Sequence, residues 1–320
     1  MAPEARAYRT RLLLAFAAIY IIWGSTYLGI AVAIQSMPPF IMASLRFLLA
    51  GGVLFGWAWF TDSLRPARRQ WGWAFLLGAL FFLVGNGAVV WVEQSLPSGL
   101  TALIVAMVSV WTAILEWARP GGTRPSGMVM VGIALGFAGV ALLVLPGQAG
   151  GAVPVGGVLL LMASTFTWAL ATVLSRTADL PKSTALVSGM EMLAGGVLLG
   201  LAGLVTGEWR EFHPSQMSGA SFLAFLYLVV FGSLVTFTCF AWLLKVTSPN
   251  KVATAGYVNP MVAVLLGWAF GGEALSARTL VASAVIILSV VLIITGKELS
   301  RLRASVATRL SLATKPEGVR

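Results

Sequence analysis

The sequence predicts an all-α integral membrane protein. Ten transmembrane helices form two inverted-topology five-helix repeats, N-in and C-in, with both termini cytoplasmic. Three observations predict this. Hydrophobic residues make up 58% of the 320 positions and charged residues only 10%, whereas a soluble domain usually carries about 25% charge to face water. Apolar runs recur along the whole chain at the length of roughly 20 helical residues that a hydrocarbon core about 30 Å thick requires. Finally, "LLAGGVLFG" at 48–56 returns as "MLAGGVLLG" at 192–200, with seven of nine letters identical.

The first span, 12–33, follows Arg6, Arg9 and Arg11. Its apolar stretch exceeds the 7–15 residues of a signal-peptide core, so it is read as retained. The second, 40–60, carries Gly51-Gly52 with Gly56, and one charge, Arg46. The third, 71–92, opens on Trp71 and Trp73 and contains Asn86. The fourth, 99–118, follows a Pro97-Ser98 turn and holds Met107, Trp111 and Trp117. Trp57, Trp59, Trp71, Trp73 and Trp117 sit near span ends, where an interfacial aromatic belt is expected. The fifth, 126–145, has Gly132 and Gly136 four apart, a spacing that lets membrane helices approach closely. On the sixth, 156–175, Ser164, Trp168 and Thr172 share one helical face.

The seventh span, 184–206, repeats the glycines as Gly195-Gly196 with Gly200 and holds the second intramembrane charge, Glu191. The eighth, 219–244, contains Thr236, Thr238 and Cys239, the single cysteine of the chain. One cysteine excludes a disulfide framework and a cysteine-based metal site. The ninth, 252–272, follows Pro249-Asn250 and includes Tyr257, Asn259, Pro260 and the Gly267/Gly271 pair. After the tenth, 277–296, the basic tail 298–320 is expected to be flexible or to lie along the anionic inner leaflet.

Charge distribution sets the orientation. If the first span runs outward, the inside segments carry 18 of the 21 Lys and Arg, and outside segments keep only Arg210 and Arg278. Basic residues concentrate in cytoplasmic loops, so the net charge of +10 reports topology and not a nucleic-acid partner. The echoed glycines lie five spans apart, an odd number, so the repeats, 10–147 and 154–297, insert in opposite directions. Trp23 and Trp168, 145 residues apart, and the Pro97-Ser98 and Pro249-Asn250 turns are weaker echoes. Inverted repeats are a transporter architecture, with the substrate site near the midplane between the halves.

"YIIWGSTYLGI" in the first span, "RFLLAG" in the second and "CFAWLLKVTSPNKVATAGYVNPMVAVLLGWAFGGEALS" across the last three resemble the EamA branch of the drug/metabolite transporter superfamily. The resemblance covers essentially the whole chain. It implies a ten-helix carrier of the bacterial inner membrane of a kind that often exports amino acids and related metabolites. In the first half Val108 stands where the repeat offset puts the partner of Pro260, so the halves need not bend alike.

The residues that could carry transport are polar or aromatic groups within spans. Tyr20, Trp23 and Tyr27 form a stripe on one face of the first span. With Asn86, Met107, Trp111, Ser164, Trp168, Thr236, Tyr257 and Asn259 they are the candidate lining of a midplane cavity, because buried polar groups in lipid need partners. Ser and Thr can instead bond their own helix backbone. Arg46 and Glu191 are candidates for coupling or gating, since intramembrane charges are costly. Each enters its span by about seven residues from opposite sides, roughly 10 Å at 1.5 Å per residue, so a direct pair is not expected. Arg46 could snorkel outward or meet Glu93.

No Walker pattern, catalytic triad or metal-ligand cluster appears in the spans, and His213 reads as a solvated loop residue. The expectation is therefore no enzyme and no cofactor. The partners expected are a small-molecule substrate and the lipid bilayer, with oligomeric state open. Alternating-access export of apolar or aromatic zwitterions is the leading reading. A broad-specificity drug or metabolite exporter and a channel are the alternatives.

Overall fold

The computed structural model describes residues 3–61, 65–122, 124–144, 154–247 and 249–313. Among them every regular element is helical, and ten helices are long and apolar enough to cross a membrane. These are α1 (Ala7–Ala33), α2 (Pro39–Thr61), α3 (Arg68–Val92), α4 (Ser98–Ala118) and α5 (Gly127–Val144) in the first half. The second half has α6 (Val155–Leu174), α7 (Thr184–Val205), α8 (Gly219–Phe240), α9 (Lys251–Phe270) and α10 (Ala277–Ser300). Each lies on one of the ten apolar runs. Local signals fix where several begin. Pro39 and Pro249 occupy first turns, where a missing N–H costs nothing. Ser183 and Ser218 accept hydrogen bonds from Leu186 N (3.3 Å) and Ser221 N (3.1 Å) at the starts of α7 and α8.

The expected junction between repeats, 147–154, falls almost wholly in 145–153, outside the described residues. One expectation changes in part. The α10 helix runs on to Ala313, so 298–313 is helical and not a flexible tail. Its Leu, Ala, Arg and Glu content favours helix. Gly296 does not interrupt it, because its open face packs on Val129 and Met128.

The halves are interleaved. Helix α1 packs on α8 and α9, and its counterpart α6 packs on α3 and α4. Likewise α2 contacts α8 as α7 contacts α3, while α2 pairs with α7, α4 with α9 and α5 with α10. Each of these cross-half contacts is its own counterpart or has one under a five-helix shift, as two repeats related by a pseudo-two-fold require. Phe47 and Phe82, ring centroids 4.6 Å apart, and Met192 and Leu199 are among the buried residues between the halves.

Glycines set the closest approaches. Gly132, Gly136 and Gly139 of α5 face α10, and Ser289 Oγ donates to Gly132 O at 2.6 Å. In the echoed motif Gly51, Gly195, Gly196 and Gly200 meet the opposite helix or Phe82 of α3, whereas Gly52 and Gly56 face open space.

Three helices contain widened π turns, at Ala18–Ile22 in α1, Ala79–Asn86 in α3 and Leu228–Val235 in α8. The last two lie on repeat-related helices. In each, a side chain at the exit donates to the carbonyl five residues earlier: Asn86 Nδ2 to Phe81 O (3.2 Å) and Thr236 Oγ1 to Phe231 O. Each also holds a glycine that admits a neighbour, Gly85 for Trp168, and Gly232 for Thr26 and Arg46. Helix α4 breaks at Ala106–Met107 without a proline, while α9 breaks at Thr254 and continues through Pro260. The two halves thus differ here, since only α9 carries a proline within its helix.

Candidate transport site

At one end of the bundle, here the Glu116 end, a cleft of about 270 Å³ opens between α2, α7 and α8. Its walls include Trp57, Ser183, Thr184, Ser188, Phe237, Thr238, Trp242 and Lys245. Thr184, Ser188 and Glu191 share one face of α7 by their spacing, so Glu191 stands one turn deeper than the lining hydroxyls. It is half-buried, and among the described residues its carboxyl has no hydrogen-bond partner. Trp23 packs behind the cleft on Phe237 and Phe240, with centroids 5.6 and 5.2 Å away.

The opposite end, the Glu93 end, is crossed by hydrogen bonds between the halves. Glu208, on a one-turn helix after α7, accepts from Ile41 N at 3.0 Å and so caps α2. Glu273, between α9 and α10, accepts from Ser98 N (2.6 Å), Ser98 Oγ (2.6 Å) and Gly99 N (3.0 Å), capping α4. Acidic groups are favoured there by the helix dipole. Ser221 Oγ donates to Val32 O (2.9 Å), and Arg278 Nε to Leu142 O (2.7 Å). Arg46 neither snorkels nor pairs with Glu93. It is 5% exposed, with Nε donating to Ser233 Oγ at 3.0 Å and Nη2 to Gly232 O at 3.5 Å, both in the π turn of α8. Burial pushes the Glu208 carboxyl above the usual carboxylate range, against its hydrogen bonds to α2 backbone amides.

The remaining candidates fall into separate groups. Trp168 meets Phe81 (5.1 Å) and Ser164 Oγ donates to Gly85 O (2.9 Å), joining α6 to the π turn of α3. Trp111 is wedged between Phe137 and Phe166, each 5.4 Å away, and its Nε1 has no partner among the described residues. Met107 and Thr236 are fully buried, Met107 against Gly136 of α5. Asn259, with its amide oriented to donate, reaches Ile19 O (3.0 Å) and Tyr20 O (3.2 Å) in the π turn of α1. Tyr27 and Tyr257 are partly buried against the core, Tyr27 within electrostatic reach of Glu93. Thus Asn86, Ser164, Thr236 and Asn259 spend their polarity on backbone carbonyls, all four at π turns of their own or a neighbouring helix. The carbonyl irregularity of such turns creates that demand. Sequence alone does not mark as site residues Ser188, Phe237, Trp242 and Lys245 of the cleft, Trp57, which it places in the interfacial belt, or the acids Glu208 and Glu273 of the Glu93 end. The signal available for the two acids was their position at span ends in a chain with only 11 acidic residues.

The EamA-like transporter family matches this chain twice, over residues 10–145 and 155–295, one match for each half. The chain belongs to that family. It is 40% identical over 283 residues to the Escherichia coli K12 protein named "Uncharacterized inner membrane transporter YedA", covering 88% of this chain and 90% of the relative. It is 25% identical to a "Probable amino-acid metabolite efflux pump" of Salmonella typhimurium, over 82% of this chain and 89% of that one. A solved crystal structure shares the fold, with a TM-score of 0.61 and 23% identity, covering 89% of this chain and 97% of the other. This EamA-like transporter is therefore a multi-pass membrane protein, and among its described residues no group of His, Cys, Asp and Glu could hold a metal ion.

Proposed function

We propose that this transporter exports small organic metabolites, amino acids with aromatic or apolar side chains first among them, across the bacterial inner membrane by alternating access. The observation that carries this reading is the cross-half pairing of helices, in which α1–α8, α1–α9 and α2–α8 recur as α6–α3, α6–α4 and α7–α3 under the five-helix shift. Two packings of near-equal kind can then exchange, closing one end as the other opens. The inner-membrane location is supported by the name of the Escherichia coli relative, and the amino-acid class by that of the Salmonella relative.

With the Glu116 end in the cytoplasm, as the 18-to-2 charge asymmetry favours, the cleft is a cytoplasmic entrance and the Glu93 end is the closed periplasmic gate. Trp23 and Trp168 flank the route at repeat-related positions, with Tyr27, Trp111 and Tyr257 as further aromatic contacts. Hydroxyls and Lys245 in the cleft suit the carboxylate of a zwitterion, and Trp57 and Trp242 suit its side chain. Glu191, one turn above the cleft, acts in gating or coupling on the cytoplasmic side, and Arg46 does so at the periplasmic gate.

Counterflow in proteoliposomes loaded with a panel of labelled amino acids tests the proposal. Saturable, trans-accelerated exchange of aromatic or branched amino acids is expected. Flux that grows linearly with concentration indicates a channel, and exchange confined to non-amino-acid amphiphiles indicates the broad-specificity exporter.

A further inference from the structure

Glu93, the residue that follows α3, is 7% exposed, and among the described residues neither carboxyl oxygen has a hydrogen-bond partner. An ionised carboxylate removed from water without a partner is among the costliest arrangements in a protein. The titratable or charged groups of neighbouring elements near enough to act on it electrostatically are Tyr27 of α1, Arg46 of α2 and Glu273 of the α9–α10 turn. Arg46, the only cation among them, is committed elsewhere, to Ser233 Oγ and Gly232 O of α8. Glu273 accepts three hydrogen bonds at the start of α4, and a second negative charge near it is opposed. Burial, and then Glu273, push the Glu93 carboxyl well above the ordinary carboxylate range, only partly offset by Arg46.

We propose that Glu93 is a proton-binding site that latches this end of the transporter shut. Protonated, Glu93 is neutral and leaves Arg46 fastened to the π turn of α8. Ionised, after giving its proton to the adjoining aqueous phase, it attracts the guanidinium, which makes no ion pair with it in this packing, so closing that gap draws Arg46 away from Ser233 and Gly232. Transfer of Arg46 to Glu93 unties α2 from α8 and lets water reach the new ion pair. Acid on this face thus favours the closed gate, and alkali favours its opening. The inference is independent of the substrate and of the direction of transport.

The test uses the whole protein in proteoliposomes without substrate. Infrared difference spectra recorded while pH is changed on both faces should show a protonated-carboxyl C=O band at neutral pH that is lost in Glu93→Gln and retained in Glu191→Gln. In parallel, hydrogen exchange of the Leu228–Val235 segment in alkaline buffer should be faster in the wild type than in Glu93→Gln, with the two alike in acid. A wild type with no such band at neutral pH, a band that survives Glu93→Gln, or equal exchange in alkali overturns the proposal. Should Glu93→Gln fail to reconstitute, Glu93→Asp must keep a protonated-carboxyl band at a displaced position, and its absence is equally decisive against the latch.

Discussion

Adjacent glycines in the echoed motif should respond oppositely to the same substitution. A Cβ added at Gly51 meets Leu193 N and Met192 Cβ at 2.9 Å and Gly189 O at 3.0 Å, while one added at Gly52 meets nothing within 4 Å. Two of the three Gly51 neighbours are backbone atoms of α7, which cannot rotate aside. Ordinary contact begins near 3.4 Å, so Gly51→Ala must drive α2 and α7 apart by a few tenths of an ångström along their main seam. Overpacking of this kind costs about 1–3 kcal/mol, set against a gain of about 0.5–1 kcal/mol from replacing a mid-helix glycine. The net expectation is a loss of about 1–2 kcal/mol for Gly51→Ala and a gain of about 0.5–1 kcal/mol for Gly52→Ala, in lipid as in detergent. At about 2.1 cal/mol/K of unfolding entropy per residue, this 320-residue chain shifts by about 1.5 °C per kcal/mol, so thermal unfolding in detergent should fall by roughly 1.5–3 °C in the first variant and rise by about 1 °C in the second. Shifts of the same sign in both variants, or a Gly51→Ala protein as stable as the wild type, would refute the claim that the α2–α7 seam is set by Gly51.

Replacing Trp23 or Trp168 by Ala should impair counterflow while leaving the yield of folded protein largely intact, and normal transport by both variants would show that these rings only pack. A reporter active only in the periplasm, fused after Arg320, should be silent, and an active fusion would invert the assigned orientation. Because the Glu208 carboxyl is held above its ordinary value of about 4.3, its contribution to stability is complete below the unfolded pKa and is lost as pH rises through the folded one. Glu208→Gln should therefore flatten the decline of Tm with rising pH just above the ordinary carboxylate range, and an unchanged slope would remove that assignment.

Hydropathy made the ten spans legible because each apolar run is bounded by charge, proline or a helix cap, as at Pro39, Ser183 and Ser218. The glycine echo made the repeat legible. The helical run to Ala313 was not, because basic residues beyond Gly296 read equally well as a solvated tail. Among the candidate site residues, Trp23, Tyr27 and Glu191 are proposed from depth and helical face, and of these Glu191 lies by its spacing one turn from lining residues of the cleft. The four polar residues Asn86, Ser164, Thr236 and Asn259 were flagged for the right reason, an unmet need for partners in lipid. Their partners are carbonyls in or near π turns that no periodicity announces. Arg46 carried the same difficulty. Its distance from Glu191 was readable from span depths, whereas Ser233 and Gly232 become its acceptors only because α8 widens there.

The interleaving of the halves also governs how the molecule is made. Helix α1 enters the membrane early in synthesis, yet the surfaces it packs against, on α8 and α9, are added only near the end of the chain. The faces of α2 and α3 that meet α7 likewise wait for the second half. Small residues at these faces, Gly24 and Gly51 among them, associate through close backbone contact rather than through exclusion of water, so they can stand against lipid in the interval without a hydrophobic penalty. A nascent chain halted after α5 thus holds five inserted helices with their principal partners missing. Neither half is a finished folding unit, and the functional packing forms only once the last helices have been inserted between the first.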